Sequence, residues 1–252
     1  MNRKCLWCLK EEPNTSFLKK AHTIPKSLGG QNYNPNICDT CNEYFGNREN
    51  KYFSIEEALK ETFIISRQVL LTRGPKRKIG EFKSKFFEIK ERNGKKRIVI
   101  RKSFSLDKNF QTDICRFFKR GLYKMFFEEL NRQKNIGYEE KFNTIRKFAR
   151  YDGIDLPVFY FYRSYGCILT TNKEAETPIL LLDRMKYLYS NELFAEIEFL
   201  GHVFGFPISD YDQTDLISYM KSSAKYKAGL FKNAKSIVKL TDVDFTLSIL
   251  NN

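Results

Sequence analysis

Residues 5–46 decide the fold of this 252-residue chain, because they place two close cysteine pairs around a single histidine. They contain C-L-W-C at residues 5–8, A-H-T-I-P-K-S-L-G-G at residues 21–30, and C-D-T-C-N-E-Y-F-G at residues 38–46. The two-residue gap within each pair allows a tight turn that presents both thiolates to one metal ion, at about 2.3 Å. Two such pairs complete a tetrahedral structural zinc site, formed by Cys5, Cys8, Cys38 and Cys41. The histidine is then free for other chemistry.

The composition indicates a folded protein with a polyanionic partner. Hydrophobic residues make up 42% of the chain and aromatic residues 15%, which is typical of a packed core rather than of disorder. Forty-four Lys and Arg residues against thirty Asp and Glu residues give a net charge of +14. This excess favours nucleic acid as the partner, with an anionic membrane surface or a plain solubility charge as the alternatives.

We expect neither a leader peptide nor a membrane span. The N-terminus starts inside the cysteine motif, and no apolar run approaches the roughly 18 residues of a membrane helix. A cytoplasmic protein keeps its thiols reduced, and reduced thiols at paired spacing favour metal over disulfides. The two remaining cysteines, Cys115 and Cys167, lie in apolar surroundings and are predicted to be buried.

The first 52 residues are short of apolar side chains, so we expect a metal to hold this segment together. Residues 17–24 are predicted to form one strand of a hairpin. A helix is predicted to start after Cys38, where the charge of Asp39 favours the helix dipole. Three residues recur at helical spacing and would share one face of this helix: Asn42, Phe45 and Glu49.

Residues 73–102 form the most basic part of the chain. They carry thirteen Lys or Arg against three Glu, which accounts for +10 of the net +14. Residues 85–101 alternate around Asn93-Gly94, a pair typical of a type I′ hairpin turn. A run of charges is often only solvated, but we interpret this alternating run as a ribbon that contacts phosphates. The predicted nucleic-acid contacts on it are Lys95, Lys96 and Arg97.

Helices flank the ribbon, and strands follow them. Ser54 and Glu57 have the spacing of a capping box, and apolar residues recur at helical spacing over residues 113–133. A shorter helix is predicted over residues 139–151. After it, V-F-Y-F-Y, G-C-I-L-T-T, P-I-L-L-L-D and A-E-I-E-F-L-G-H-V-F-G-F-P-I are strand-like, and a short helix is predicted over residues 215–226.

The predicted fold class is therefore α+β, in three parts. A zinc-stapled finger spans residues 1–52, and a connector with a helix and the basic β-hairpin spans residues 53–110. A C-terminal α+β domain with a helical start and an antiparallel sheet spans residues 111–252.

Residues 5–49 resemble the zinc-knuckle branch of the HNH endonucleases, also called His-Me finger or ββα-metal nucleases. The resemblance rests on the ordered combination of the three quoted pieces and covers about a fifth of the chain. It implies a hairpin packed on a helix, with a catalytic divalent ion, Mg²⁺ or Mn²⁺, held between them. The remaining four fifths of the chain resemble no family that we can name.

The resemblance also implies roles for three residues. His22 matches the general base, since an imidazole can take a proton from water near neutral pH and the hydroxide can attack phosphorus. Asn36 matches the asparagine that holds the loop by side-chain bonds to backbone, with Asn32 as a rival. Asn42 matches the last position, where an amide oxygen suits a hard cation. The alternative for His22 is a structural histidine beside the zinc site.

The chain departs from the family at Ala21, because many members carry Asp or Glu there as a metal ligand. Glu49, on the predicted Asn42 face, is the first candidate to replace that carboxylate. An equally good explanation is that Glu49 is a helix residue that faces solvent. If no carboxylate replaces the one missing at position 21, either the catalytic ion binds weakly or the protein has lost catalysis. Three cations flank His22 and would steer phosphate toward it: Lys19, Lys20 and Lys26. The other histidine, His202, is predicted to be a hydrogen-bonded core residue.

The sequence thus predicts a metal-dependent endonuclease that hydrolyses DNA, by analogy with the family in restriction or antiviral defence. One alternative is a zinc-stapled nucleic-acid-binding protein whose catalytic site has decayed at position 21. Another is a nuclease effector whose C-terminal domain binds a regulatory ligand or partner protein. Double-strand cutting would need a homodimer or successive nicks, and no membrane partner is expected.

Overall fold

The computed structural model describes residues 2–48, 52–71, 82–164, 182 and 186–246. Its strands are β1 (Ala21–His22), β2 (Tyr33–Asn34), β3 (Phe87–Arg92), β4 (Lys95–Ile100), β5 (Phe159–Arg163), β6 (Phe194–Phe199), β7 (His202–Pro207) and β8 (Phe231–Ser236). Its α-helices are α1 (Asp39–Gly46), α2 (Ile55–Leu71), α3 (Lys108–Lys134), α4 (Asn143–Ile145), which one π turn at Arg146–Arg150 extends, and α5 (Gln213–Lys227). All sheets are antiparallel, so the predicted α+β class is confirmed.

The N-terminal finger is a minimal hairpin followed by a helix. In it β1 pairs with β2, with Ala21 opposite Asn34 and His22 opposite Tyr33. The strand is shorter than predicted because the backbone N–H groups of Leu18 and Lys19 donate to the Asp39 carboxylate instead of to a strand. The helix starts after Cys38 as predicted.

The long helix α3 lies at the centre of the core. Every residue from 118 to 131 is buried, because the finger, α2 and the C-terminal sheet all pack on it. Trp7 of the finger contacts Phe127 of α3, and Phe63 of α2 contacts Phe118 of α3. One hydrophobic cluster thus runs from the finger to the sheet, whereas the three-part division of the chain stays a prediction. Within the described ranges, no helix combines the length and apolar character that a membrane crossing requires.

The predicted capping box starts α2, since the Glu57 N–H donates to Ser54 Oγ at 3.1 Å and the Ser54 N–H donates to Glu57 at 3.0 Å.

The helices α2 and α3 approach each other closely. Gly121 faces Leu59, whose side chain would lie 3.1 Å from a Cβ at position 121. The missing side chain therefore lets the helices pack tightly.

The C-terminal sheet has the strand order β6-β7-β5-β8. One face packs on α3, and the other lies under α5, where Tyr219 stacks on Phe194 at 4.3 Å. The strand β8 was missed from the sequence because only Phe231 of its six residues is buried, which leaves no apolar alternation. The predicted strands G-C-I-L-T-T and P-I-L-L-L-D, together with Cys167, fall almost wholly outside the described residues.

A buried polar network fixes α5 on the sheet. The carboxylate of Glu196 accepts hydrogen bonds from Tyr219 Oη at 2.9 Å and Ser223 Oγ at 2.6 Å, and it pairs with the Lys227 ammonium. The Tyr189 N–H donates to it at 2.8 Å. Both carboxylate oxygens therefore have partners, and the network fixes the position of Tyr219.

We expect Gly205→Ala to lower the free energy of unfolding by about 1–3 kcal/mol, because a Cβ there would overlap the Tyr219 hydroxyl that Glu196 holds in place. Chemical denaturation measures the loss. The matched control is Gly153→Ala, where the nearest atom would be 3.7 Å away. Equal unfolding midpoints for the two variants would contradict the close packing of α5 on β7.

Candidate functional site

The four predicted zinc ligands lie together in one cluster. Their sulfur atoms are all within 4.8 Å of one another, and Cys8 and Cys38 are 3.7 Å apart. A tetrahedral ion with bonds of about 2.3 Å has sulfur–sulfur edges of about 3.8 Å, so the spacing fits zinc. Three of the thiols are buried and Cys8 is half-buried, as in a closed structural site.

Neighbouring groups orient these sulfurs. The Cys38 N–H donates to Cys5 Sγ at 3.4 Å, and Arg150 Nε donates to Cys41 Sγ at 3.5 Å. The first pair lies in a turn in which Leu9 has a φ of 60° and its N–H donates to the Cys5 carbonyl. The contact with Cys38 and burial raise the pKa of the Cys5 thiol to about 12. A metal that binds this sulfur as a thiolate therefore displaces a proton, and its affinity rises with pH.

His22 stands on β1 with a half-buried side chain, outside the cysteine cluster. Its Nδ1 lies 3.2 Å from the Lys20 carbonyl oxygen. A carbonyl only accepts, so Nδ1 carries the hydrogen in the neutral ring, and the lone pair of Nε2 remains to accept a proton. The ring is thus neither a zinc ligand nor sealed in the core.

A buried ammonium holds the backbone of His22. Lys124 of α3 is fully buried, and its Nζ donates to the His22 carbonyl oxygen at 2.6 Å. The same Nζ lies 3.0 Å from Glu56 and 3.2 Å from Glu128. Glu128 also accepts from Trp7 Nε1 at 2.9 Å, which connects α3 to the first cysteine pair.

The two carboxylates keep Lys124 charged. Burial lowers the pKa of Lys124, but the charges of Glu128 and Glu56 outweigh this effect and leave it raised. Burial raises the pKa of Glu128 to about 7, against the opposing effect of Lys124. Neither Lys124 nor Glu128 was predicted from the sequence. The available signal was a Lys and a Glu inside the apolar stripe of a buried helix.

Two asparagines hold the loop between β2 and α1. The Asn34 side chain accepts from the Asn36 N–H at 2.8 Å and donates to the Glu128 carbonyl oxygen at 2.8 Å. The predicted residue, Asn36, donates instead to the side chain of Asn131 at 3.1 Å. The bonds to backbone that the family asparagine implies are therefore made by Asn34, whereas Asn36 braces the same loop against α3.

The helix α1 ties down the segment that leads into β1. Its Asp39 accepts from Ser16 Oγ at 2.7 Å as well as from two backbone N–H groups, and its Glu43 pairs with Lys19. Asn42, between them, is half-buried. The helix ends at Gly46, and Glu49 lies outside the described residues.

Beside the four cysteines, the described part of the chain shows no second cluster of three or more histidine, cysteine or acidic side chains that could hold a catalytic ion. Ala21 is fully buried beside His22 and offers no ligand. Asn42 remains the ligand predicted for a hard cation.

The predicted phosphate contacts differ in their surroundings. Lys19 is occupied by Glu43, Lys20 lies over the Tyr33 ring at 5.3 Å, and Lys26 is exposed. On the ribbon, Lys95 and Arg97 are exposed, and Lys96 occupies the register position opposite Glu91.

His202 is confirmed as a core histidine. Its Nε2 lies 2.7 Å from Ser66 Oγ and its Nδ1 lies 3.0 Å from Tyr160 Oη. Burial lowers its pKa to about 3, so the ring stays neutral at physiological pH.

Metal analysis of the purified protein should find one zinc per chain, and Cys38→Ser should lose most of it and unfold the finger, since metal binding contributes to folding. Zinc content is measured by atomic emission. Cys115→Ala, a buried cysteine outside the cluster, should keep the metal. Much less than one zinc per chain in the unmodified protein would contradict the four-cysteine site.

Lys124→Met should lower the free energy of unfolding by about 3–5 kcal/mol, because it leaves Glu128 buried without its counter-charge. Denaturant titration measures the change. The matched control is Lys108→Met at the exposed start of the same helix, which should shift stability by less than about 0.5 kcal/mol. A neutral result for Lys124→Met would mean that the ammonium does not hold the finger on α3.

A family comparison agrees with the site. Residues 5–56 match the family model described as HNH endonuclease. No curated protein and no solved structure matches the chain. The match spans both cysteine pairs, His22 and Asn42, and the resemblance to the HNH endonucleases is therefore confirmed for the N-terminal finger.

Proposed function

We propose that this protein is a metal-dependent endonuclease that hydrolyses phosphodiester bonds of DNA, with His22 as the general base. The observation that carries the proposal is the placement of His22 inside the segment that matches the HNH endonucleases. Its imidazole stands apart from the zinc cluster, and Nε2 keeps a free lone pair. A basic chain with a net charge of +14 suits a polyanionic substrate.

In this proposal each neighbouring residue has a stated task. The Lys20 carbonyl oxygen orients the His22 ring through Nδ1, so that Nε2 can accept a proton from water. Lys124 fixes the strand that carries the ring by binding its carbonyl oxygen. The exposed Lys20 and Lys26 side chains attract phosphate toward the strand.

HNH nucleases use divalent metal ions, and we propose Mg²⁺ or Mn²⁺ here beside the structural zinc. Such an ion would offset negative charge on the phosphate. Asn42 is its proposed ligand from α1, and Glu49 is proposed as the carboxylate that Ala21 does not supply. We propose a cytoplasmic location, because reduced thiols are needed for the zinc site. We propose a role in restriction or antiviral defence by analogy with other members of the family.

The proposal is tested by incubating supercoiled plasmid with the zinc-loaded protein and either Mg²⁺, Mn²⁺ or a chelator of hard cations. We expect nicking with a divalent ion, and His22→Ala should slow it by about 10²–10⁴-fold, the usual contribution of a general base. DNA affinity, zinc content and the unfolding midpoint of this variant should be unchanged. Unchanged nicking by His22→Ala would remove the residue from the proposed role.

A second candidate is a zinc-stapled nucleic-acid-binding protein without catalysis. The buried methyl group of Ala21 favours it, because position 21 itself offers no carboxylate where many family members carry one. In that case no divalent ion would produce nicks, while affinity for DNA would still fall steeply with salt.

A third candidate, a ligand-regulated nuclease, is favoured by a cavity of about 550 Å³ in the C-terminal part. Arg116 lines it and pairs with Asp152, which also pairs with Arg120. Arg120 in turn donates to the hydroxyl of Tyr44 on α1, so two charge pairs and a hydrogen bond connect the cavity to the finger. A protein of this type would be idle until a ligand or partner protein is added.

A further inference from the structure

The β3–β4 ribbon has two different faces. Opposite residues of an antiparallel pair share a face, and the register places Lys90 opposite Arg97 and Arg92 opposite Lys95. This basic face alternates with one on which Ile89 lies opposite Ile98. The ribbon is therefore amphipathic across its thickness: four of the five cations in its strands share one face, and Lys96 occupies a position on the other face, opposite Glu91.

Like charges on the basic face are directly opposed. Such cross-strand pairs destabilise a sheet, so the arrangement costs stability in the free protein. Lys90 has a partner in Glu88 at 2.9 Å. The other three cations are exposed, and none of them forms an ion pair within the part of the chain that the structure describes: Arg92, Lys95 and Arg97.

Other exposed lysines in the described ranges also lack an ion pair, but those on the ribbon differ because cations face cations across the strands. Arg48, Lys85 and Arg101 lie near the base of the ribbon, and each pairs with a Glu. The cations nearer the tip are the uncompensated ones. An anionic partner would supply the missing charges and remove the cross-strand repulsion.

The ribbon projects from a fixed base. Its strands pair mainly with each other, and Phe86 at the base packs against Phe53, Phe104 and Phe110 at ring distances of 5.4–5.8 Å. The Asn93-Gly94 turn forms the tip, with both residues at positive φ. Six residues per strand give the ribbon a length of about 20 Å.

These dimensions suit one kind of nucleic acid. The major groove of B-form DNA is about 12 Å wide and admits a two-stranded β-ribbon. The major groove of an A-form RNA duplex is deep and too narrow for protein side chains to read. A single strand offers no groove at all.

We propose that the β3–β4 ribbon enters the major groove of B-form duplex DNA with its basic face, so that duplex DNA is the substrate class. Arg92, Lys95 and Arg97 contact phosphates along the groove walls. This inference rests on the proposed nuclease function for its biological meaning, but it concerns binding and is measured without cleavage.

The experiment measures fluorescence anisotropy with the zinc-loaded 252-residue protein carrying His22→Ala, which leaves the probe intact. The probes are a 20-base-pair DNA duplex, the RNA duplex of the same sequence and the single DNA strand. The ribbon variant is Arg92→Ala/Lys95→Ala/Arg97→Ala. The matched control is Lys221→Ala/Lys225→Ala/Lys232→Ala, which removes the same charge from exposed positions on α5 and β8.

We expect the DNA duplex to bind at least about tenfold more tightly than the RNA duplex, because only its major groove admits the ribbon. The ribbon variant should lose this preference, and its plot of log affinity against log salt should be shallower by about 3, one unit for each lost phosphate contact. The control variant should keep both the preference and most of the slope. Methyl green, a major-groove ligand, should displace the protein, whereas the minor-groove ligand netropsin should not.

Equal affinity for DNA and RNA duplexes, or equal effects of the two triple variants, would overturn the inference. Displacement by netropsin rather than methyl green would overturn the major-groove placement. None of these outcomes touches the nuclease proposal, because plasmid nicking by the unmodified protein and its loss in His22→Ala are scored separately.

Discussion

The structure depends most on one buried positive charge. Lys124 joins three parts of the chain, since its ammonium contacts Glu56 of α2, Glu128 of its own helix and the backbone of His22. An ammonium that is fully buried is costly unless it is well paired, and here it has three oxygen partners. The strand bearing His22 is therefore fixed by the core rather than by its two-residue sheet alone.

Much of the fold could be predicted from local pattern. The paired cysteines indicated the metal cluster, the Asn-Gly pair indicated the ribbon turn, and the Ser54–Glu57 spacing indicated the start of α2; each signal depends only on neighbouring residues. The edge strand β8 and the short extent of β1 could not be predicted, because tertiary contacts decide them. In β1 the Asp39 carboxylate takes the N–H groups that a longer strand would have used.

The candidate site was less accessible to sequence reasoning, for a similar reason. Asn34 binds the loop through the Asn36 N–H, but it also binds the Glu128 carbonyl oxygen of α3, about ninety residues later in the chain, and no local pattern indicates that contact. The role of Lys124 also depends on distant contacts. Its position in the helical pattern shows only a charged residue among apolar ones, not its partners in α2 and the finger. The extent of α1 also differs from the prediction, which continued the helical spacing to residue 49, whereas α1 ends at Gly46. Periodicity alone does not show where a helix ends, and here the stop signal was the pair Gly46-Asn47.

The packing of Trp7 has a consequence for how such a finger is inherited and engineered. Its indole lies between Phe45 of the finger and Phe127 of α3, and its N–H is bound by Glu128. A fragment cut after the matched residues would leave that tryptophan facing water and the indole nitrogen without its acceptor. Transplanting the finger into another protein therefore requires α3 to pack against it, so the unit that could be moved is discontinuous along the chain.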